Sequence, residues 1–126
     1  MFTADHICIT SGSEAQAGSF LGAELCMDSN DFFTMEELPE SVAVLGGGYI
    51  AVELAQILQS LGVKTSLIVR SRMMRFLDED LLNVLLDEMD HSGLQVLQGS
   101  SHEKVEKLAN GKLRVTMTDG SYKDVD

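Results

Sequence analysis

The chain has 126 residues, 44% of them apolar and 23% charged, which are the proportions of one folded domain and not of a disordered segment. Twenty acidic against nine basic side chains give a net charge of −11; such a surface repels nucleic acid and anionic membrane, and excludes a general polyanion binder. Against that background three of the four arginines, Arg70, Arg72 and Arg75, fall within six residues.

The first six residues, Met1 to His6, have neither a basic nor an apolar stretch of the kind a secretory signal needs, and no apolar run is long enough to cross a bilayer. His6 to Thr10 predicts a short strand, ended by Ser11-Gly12-Ser13, and residues 11–24 read as a loop. Asp28 to Asp31 offers capping side chains ahead of Phe32, Phe33, Met35 and Leu38, and Pro39 closes that segment. Residues 1–40 therefore read as a connecting strand and linker, followed by a domain over 41–126.

Val42 to Leu45 is a continuous apolar run stopping at three glycines, which predicts a strand buried on both faces. Residues 49–61 change period: Ile50, Leu54, Ile57, Leu58 and Leu61 predict one apolar helix face, and Gly62 suits the cap. Lys64 to Val69 predicts a second strand, so that 42–69 forms a βαβ unit with the helix as crossover. Asp78 caps a predicted helix over 79–92 with an apolar face of Leu81, Leu82, Leu85, Leu86 and Met89, and Leu94 to Leu97 supplies a third parallel strand. Residues 103–109, 112–118 and 121–125 then alternate as short antiparallel strands, turned at Asn110-Gly111 and Asp119-Gly120. The expected class is α/β: a Rossmann-like three-layer nucleotide-binding domain with a parallel central sheet and a β-meander.

Gly46-Gly47-Gly48-Tyr49-Ile50-Ala51 matches G-x-G-x-x-A between a strand and a helix, the context a dinucleotide-binding turn requires. Gly46 permits the tight turn, Gly48 lets a pyrophosphate approach the backbone, and Ala51 lets the helix lie close to the strand. The helix start, with Tyr49 and Ile50, presents N–H groups and a positive dipole end to phosphate. About twenty residues on, sites for the unphosphorylated coenzyme carry a carboxylate for the ribose 2′-hydroxyl. Val69 and Arg70 stand there instead. Guanidinium groups suit phosphate oxygens, so Arg70, Arg72 and Arg75 point to a 2′-phosphate and hence to NADPH. Cys8 and Cys26 form no C-x-x-C and no metal-ligand pattern, and no metal is expected; they read as reduced, partly buried thiols of a cytoplasmic protein. His6, His91 and His102 have no partner pattern and read as surface residues.

The run Gly46-Gly47-Gly48-Tyr49-Ile50-Ala51-Val52-Glu53 resembles the G-x-G-Y-I-A-V-E segment of glutathione reductases. Ala4 to Ile7, Asp28-Ser29 with Phe32-Phe33, Leu38-Pro39-Glu40, Leu61-Gly62 with Lys64-Thr65, and Arg70 with Arg75 ahead of Phe76 and Asp78 resemble the same family in the same order. The resemblance implies that Gly46, Gly48 and Ala51 hold the pyrophosphate and that Arg70 and Arg75 hold the 2′-phosphate. It implies that Tyr49 covers the nicotinamide pocket, and that Glu53 pairs with a lysine beside the flavin. Without it, Tyr49 reads as a buried aromatic and Glu53 as an ordinary helix carboxylate. The family further implies FAD, glutathione disulfide as substrate and a homodimer. The segment between Arg70 and Arg75 is one residue shorter than in the family, Arg72 is an added charge, and Gly47 replaces a common alanine. The family's C-x4-C disulfide, flavin-binding segment and His-Glu segment are not in this sequence, so it reads as the middle domain of a longer enzyme and not itself catalytic. Rival readings are a reductase of trypanothione, thioredoxin or mercuric type, a dinucleotide-binding module without redox chemistry, and a domain that keeps the fold but binds nothing.

Overall fold

The computed structural model describes residues 2–16 and 18–126; Met1 and Ala17, which belong to the leading segment and the loop over 11–24, lie outside it. In chain order the elements are a 3-10 turn at Ala23–Leu25, α1 (Ser29–Phe33), β1 (Ser41–Leu45), α2 (Tyr49–Ser60), β2 (Lys64–Val69), α3 (Glu79–His91), β3 (Gln95–Gln98), β4 (His102–Lys107), β5 (Leu113–Met117) and β6 (Tyr122–Val125). The first three strands form a parallel sheet with β2 in the middle, and the last three form an antiparallel sheet in the order β4–β5–β6.

The pleat of β2 explains the layering. Successive side chains of a strand point to opposite faces. Leu67 and Val69 enter one core with Val52 and Ala55 of α2 and Leu82 and Met89 of α3. Ile68, between them, enters a second core with Val105, Val115 and Met117 of the antiparallel sheet. Helices, parallel sheet and β-meander therefore stack as three layers, the expected class. Burying a side chain of this kind contributes about 1.5–3 kcal/mol, so the single alternation at Leu67, Ile68 and Val69, all almost fully buried, locks both faces of the sheet at once.

Four expectations change. His6 to Thr10 is not a strand: neither sheet pairs with it, and Ile7 and Ile9 are exposed. β propensity without a partner leaves the ladder groups unpaired, so the segment stays irregular. β1 is half-buried along its length instead of buried on both faces, because it lies at the edge of the parallel sheet. On α2, Leu58 is buried and Leu54 half-buried as expected, but Val52 and Ala55 complete the buried face and Ile50, Ile57 and Leu61 are exposed. The smaller Val52 and Ala55 bring the helix close to the sheet, and Ile50 and Ile57 turn outward. On α3 likewise, Leu81 is exposed while Leu82 and Met89 are buried. Within the first forty residues, Phe20 and Leu25 pack against the second core, and Val105 donates a backbone hydrogen bond to Leu21.

The meander is edged by ion pairs. Arg114 grips Asp124 with two hydrogen bonds of 2.7 and 2.8 Å and lies over the Tyr122 ring. Asp126 accepts from Lys112 and from Ser41 of β1, joining the edges of the two sheets. These hydrogen bonds hold the Asp124 and Asp126 carboxyls below the usual carboxylate range. A depressed folded pKa gives stability that is present above the unfolded value, about 3.9, and is lost as pH falls through the folded value. Thermal unfolding should therefore fall more steeply between pH 5 and pH 3 in the wild type than in Asp124→Asn/Asp126→Asn. Parallel curves for the two proteins would show that the pairs contribute nothing measurable.

Candidate dinucleotide site

The glycine turn joins β1 to α2, and its shape is set residue by residue. Gly46 donates to the Ile68 carbonyl at 3.0 Å, keeping the turn in register with β2, and its φ of 138° lies where a side chain is strained. A Cβ on Gly46 would also sit 3.4 Å from the Ala51 methyl, so the two residues meet as closely as their sizes allow. The Gly47 carbonyl accepts from Met74 at 2.7 Å, tying the first turn to the turn after β2.

A Cβ on Gly47 would come within 2.6 Å of Val69 Cγ1 and 3.3 Å of the Met73 backbone. The alanine common at this position in the family is thus not a mild alternative in this chain. Val69 is β-branched and ends the central strand, so it yields little. Gly47→Ala should destabilise the chain by about 1–3 kcal/mol through overpacking, read as a lower urea midpoint. An unchanged midpoint would show that the turn relaxes freely.

Gly48 is different. Its backbone is ordinary extended (φ −80°), and a Cβ built on it meets nothing within 4 Å. The fold itself leaves that space open. The helix end beside it is also unfilled: α1 and α3 are capped by the side chains of Asp28 and Asp78, whereas α2 has no side-chain cap and no acidic residue in its first turn. The first N–H groups of α2 therefore remain available to an anion.

The segment after β2 forms the opposite wall. Met74 adopts a left-handed φ of 46°, a conformation costing about 1–2 kcal/mol outside glycine. It lets the short segment turn sharply, and Leu77 donates back to its carbonyl. Arg72 donates to the Leu77 carbonyl at 3.0 Å, closing this turn, and Arg75 donates to Ser71 Oγ. Arg70 makes no hydrogen bond or ion pair among the described residues.

Gly46, Gly47, Gly48, Tyr49, Arg70, Arg72 and Arg75 all line one cleft of about 550 Å³, with Phe76, Ser101 and His102 completing its wall. That volume is in the range of small-molecule and cofactor sites. No carboxylate lines it among the described residues, although the chain carries twenty. Ile50 and Ala51 continue α2 behind the turn. Glu53 lies one turn beyond Tyr49, exposed, and does not line the cleft. Tyr49 is exposed, not buried as it reads in isolation. Tyr49, Ile50, Glu53 and Ile57 are all exposed on α2.

His102, read from sequence as a surface residue, is half-buried in this wall. It meets Phe20 edge-on, with ring centroids 4.5 Å apart. Burial and the Arg70 charge push its pKa below the usual histidine value. Nothing local in sequence marks it, because it reaches the cleft through the second sheet. Cys8 and Cys26 are both free and exposed, a correction to the expected partial burial, and no group of metal-ligating side chains occurs among the described residues. Among the described residues no helix is long and apolar enough to cross a membrane.

A profile of the pyridine nucleotide-disulphide oxidoreductase family matches residues 1–126. The chain is 39% identical over 129 residues to glutathione reductase of Schizosaccharomyces pombe, covering 100% of this chain and 28% of that protein. It is 38% identical over 127 residues to glutathione reductase of Yarrowia lipolytica, covering 99% and 27% respectively. The chain thus spans little more than a quarter of the length of these relatives. Among solved structures, the HOCl-induced flavoprotein disulfide reductase of Escherichia coli shares the fold at a TM-score of 0.83 and 22% identity, covering 92% of this chain and 27% of that one. An engineered water-forming NADPH oxidase, solved with NADPH, matches at a TM-score of 0.78 and 28% identity, covering 90% and 27%. With the motif, the three-layer fold and these likenesses in agreement, the chain belongs to the pyridine nucleotide-disulphide oxidoreductase family and is glutathione-reductase-like.

Proposed function

We propose that this chain is the NADPH-binding part of a cytoplasmic glutathione reductase, in which reducing equivalents pass from NADPH through FAD to glutathione disulfide. The observation that supports the coenzyme choice is the cleft itself. The glycine turn and three arginines line it together, and no carboxylate does among the described residues. The open space at Gly48 and the uncapped start of α2 suit a pyrophosphate. Arg70, which has no other partner among the described residues, suits a 2′-phosphate, with Arg75 beside it. The substitutions that define the engineered NADPH oxidase replace an aspartate and place Ala-Arg-Ser in three consecutive positions, with another arginine a few residues on. This chain reads Val69-Arg70-Ser71, with Arg75 following.

Nicotinamide supplies a hydride when bound, and flavin accepts it. Tyr49, an exposed residue of the cleft lining, suits a cover for the nicotinamide end, and Glu53, exposed on α2, suits pairing with a cation of the flavin region. Glutathione as the substrate rests on the two reductase likenesses, and the homodimer of the whole enzyme only on the family resemblance of the sequence. The exposed free thiols Cys8 and Cys26 fit a reducing compartment.

Calorimetry on this chain tests the coenzyme choice. NADPH should bind at least tenfold more tightly than NADH, and added phosphate or salt should narrow the gap. Equal affinities would reject the arginine argument. Turnover of glutathione disulfide by the whole protein, against trypanothione and thioredoxin, tests the substrate.

A further inference from the structure

Two features of His102 are unexplained by the site as described. It is a titratable side chain half-buried in the cleft wall, and it comes from β4, in the sheet that carries none of the motif. Phe20, packed edge-on against it, limits its movement. We propose that His102 is a positioning and specificity residue that couples proton uptake to binding of the phosphorylated coenzyme, its imidazole and Arg70 forming the two cationic sides of the 2′-phosphate subsite. The inference rests on the coenzyme reading above.

The surroundings favour this role. The β5 partner of His102 is Met117, the linker presents Phe20, and the turn after β2 presents Arg70, so the one charge acting on the imidazole is positive. Arg72 and Arg75 add further positive charge to the same cleft, and Glu103, next along β4, is exposed. Without ligand, burial and Arg70 therefore favour the neutral imidazole. A phosphate drawn in by Arg70 reverses the local sign. It cancels the guanidinium and favours the imidazolium, so the ring gains a proton as the anion arrives. The sign follows by linkage: a group whose pKa rises on binding strengthens that binding as pH falls through the bound value towards the free one. NADH brings no phosphate to this end and provides no such coupling.

The test uses NADP+ and NAD+, which remain stable at mildly acidic pH, and measures the ratio of their affinities for this chain between pH 8 and pH 6.5. The ratio should rise by a factor of about two to five as pH falls in the wild type, within the tenfold limit set by one pKa unit, and stay flat in His102→Gln. The wild-type imidazole resonance, assigned by its loss in the variant, should titrate at higher pH with NADP+ bound than with NAD+ bound. A wild-type ratio that is large but independent of pH, or one equally pH-dependent in His102→Gln, would overturn the coupling and leave the arginine site intact. A ratio near one at every pH would remove the arginine site and the coupling together. Misfolding of the variant does not rescue the idea, because if none of the three wild-type imidazole resonances titrates at higher pH with NADP+ than with NAD+ bound, the coupling is refuted without any assignment.

Discussion

Replacing Arg70 and Arg75 together by alanine should weaken NADPH binding about a hundredfold at low salt and leave NADH within about twofold. A hydrogen bond to a charged group contributes about 1.5–3 kcal/mol, and tenfold in affinity corresponds to about 1.4 kcal/mol. Both side chains stand in an open cleft, where solvent screens the pair, so the lower end of that range applies to each. The two residues differ in readiness. Arg70 has no partner among the described residues, whereas Arg75 must share its donors with Ser71. Of the single variants, Arg70→Ala should therefore show the larger loss. Arg72→Ala should behave otherwise, because Arg72 closes the turn through the Leu77 carbonyl. Its loss should lower the unfolding midpoint and weaken both coenzymes alike. Calorimetric titration of each variant with NADPH and NADH separates these patterns, and equal weakening of both coenzymes by Arg70→Ala would mean that Arg70 supports the fold and not the phosphate.

The elements legible in sequence are those decided by local pattern. β2 lies where an apolar run between Gly62 and the arginine cluster puts it, and the hairpin turns at Asn110-Gly111 and Asp119-Gly120 carry their own φ requirement in glycine. Asp28 and Asp78 cap helices because a short acceptor before a helical run has few other uses. What was not legible depends on partners distant in sequence. His6 to Thr10 has the residues of a strand but no neighbour to pair with. The face of α2 is only partly legible: Leu58 is buried and Leu54 half-buried as periodicity predicts, but periodicity weighs large side chains and passes over Val52 and Ala55, which complete a stripe of smaller volume with Leu58. Close packing of helix on sheet selects that stripe. The cleft was half legible: the glycine turn and the arginines announce themselves, and the topology brings the ends of adjacent parallel strands together. His102 comes from thirty or so residues further on, through a different sheet, and no spacing rule reaches it.

Gly48→Ser should separate folding from binding: the unfolding midpoint stays or rises slightly, while affinity for both NADPH and NADH falls by at least tenfold. Three observations lead to this outcome. The Gly48 backbone is in a region open to every residue, so the side chain brings no strain. The space a Cβ would enter holds no protein atom within 4 Å, so the chain has no need of a glycine there. Gly48 is also the N-cap of α2, and serine is at least as good a cap as glycine. Its hydroxyl can accept from the first-turn N–H groups that otherwise face an anion. The same atoms that improve the helix end therefore occupy the room and the donors on which a pyrophosphate depends. Because the pyrophosphate is common to both coenzymes, the loss should not discriminate between them, unlike the loss from Arg70→Ala. Denaturant unfolding and calorimetry on one preparation give both readings. A Gly48→Ser chain that folds normally and still binds both coenzymes with wild-type affinity would place the pyrophosphate away from this turn, and the open space at Gly48 would need another explanation.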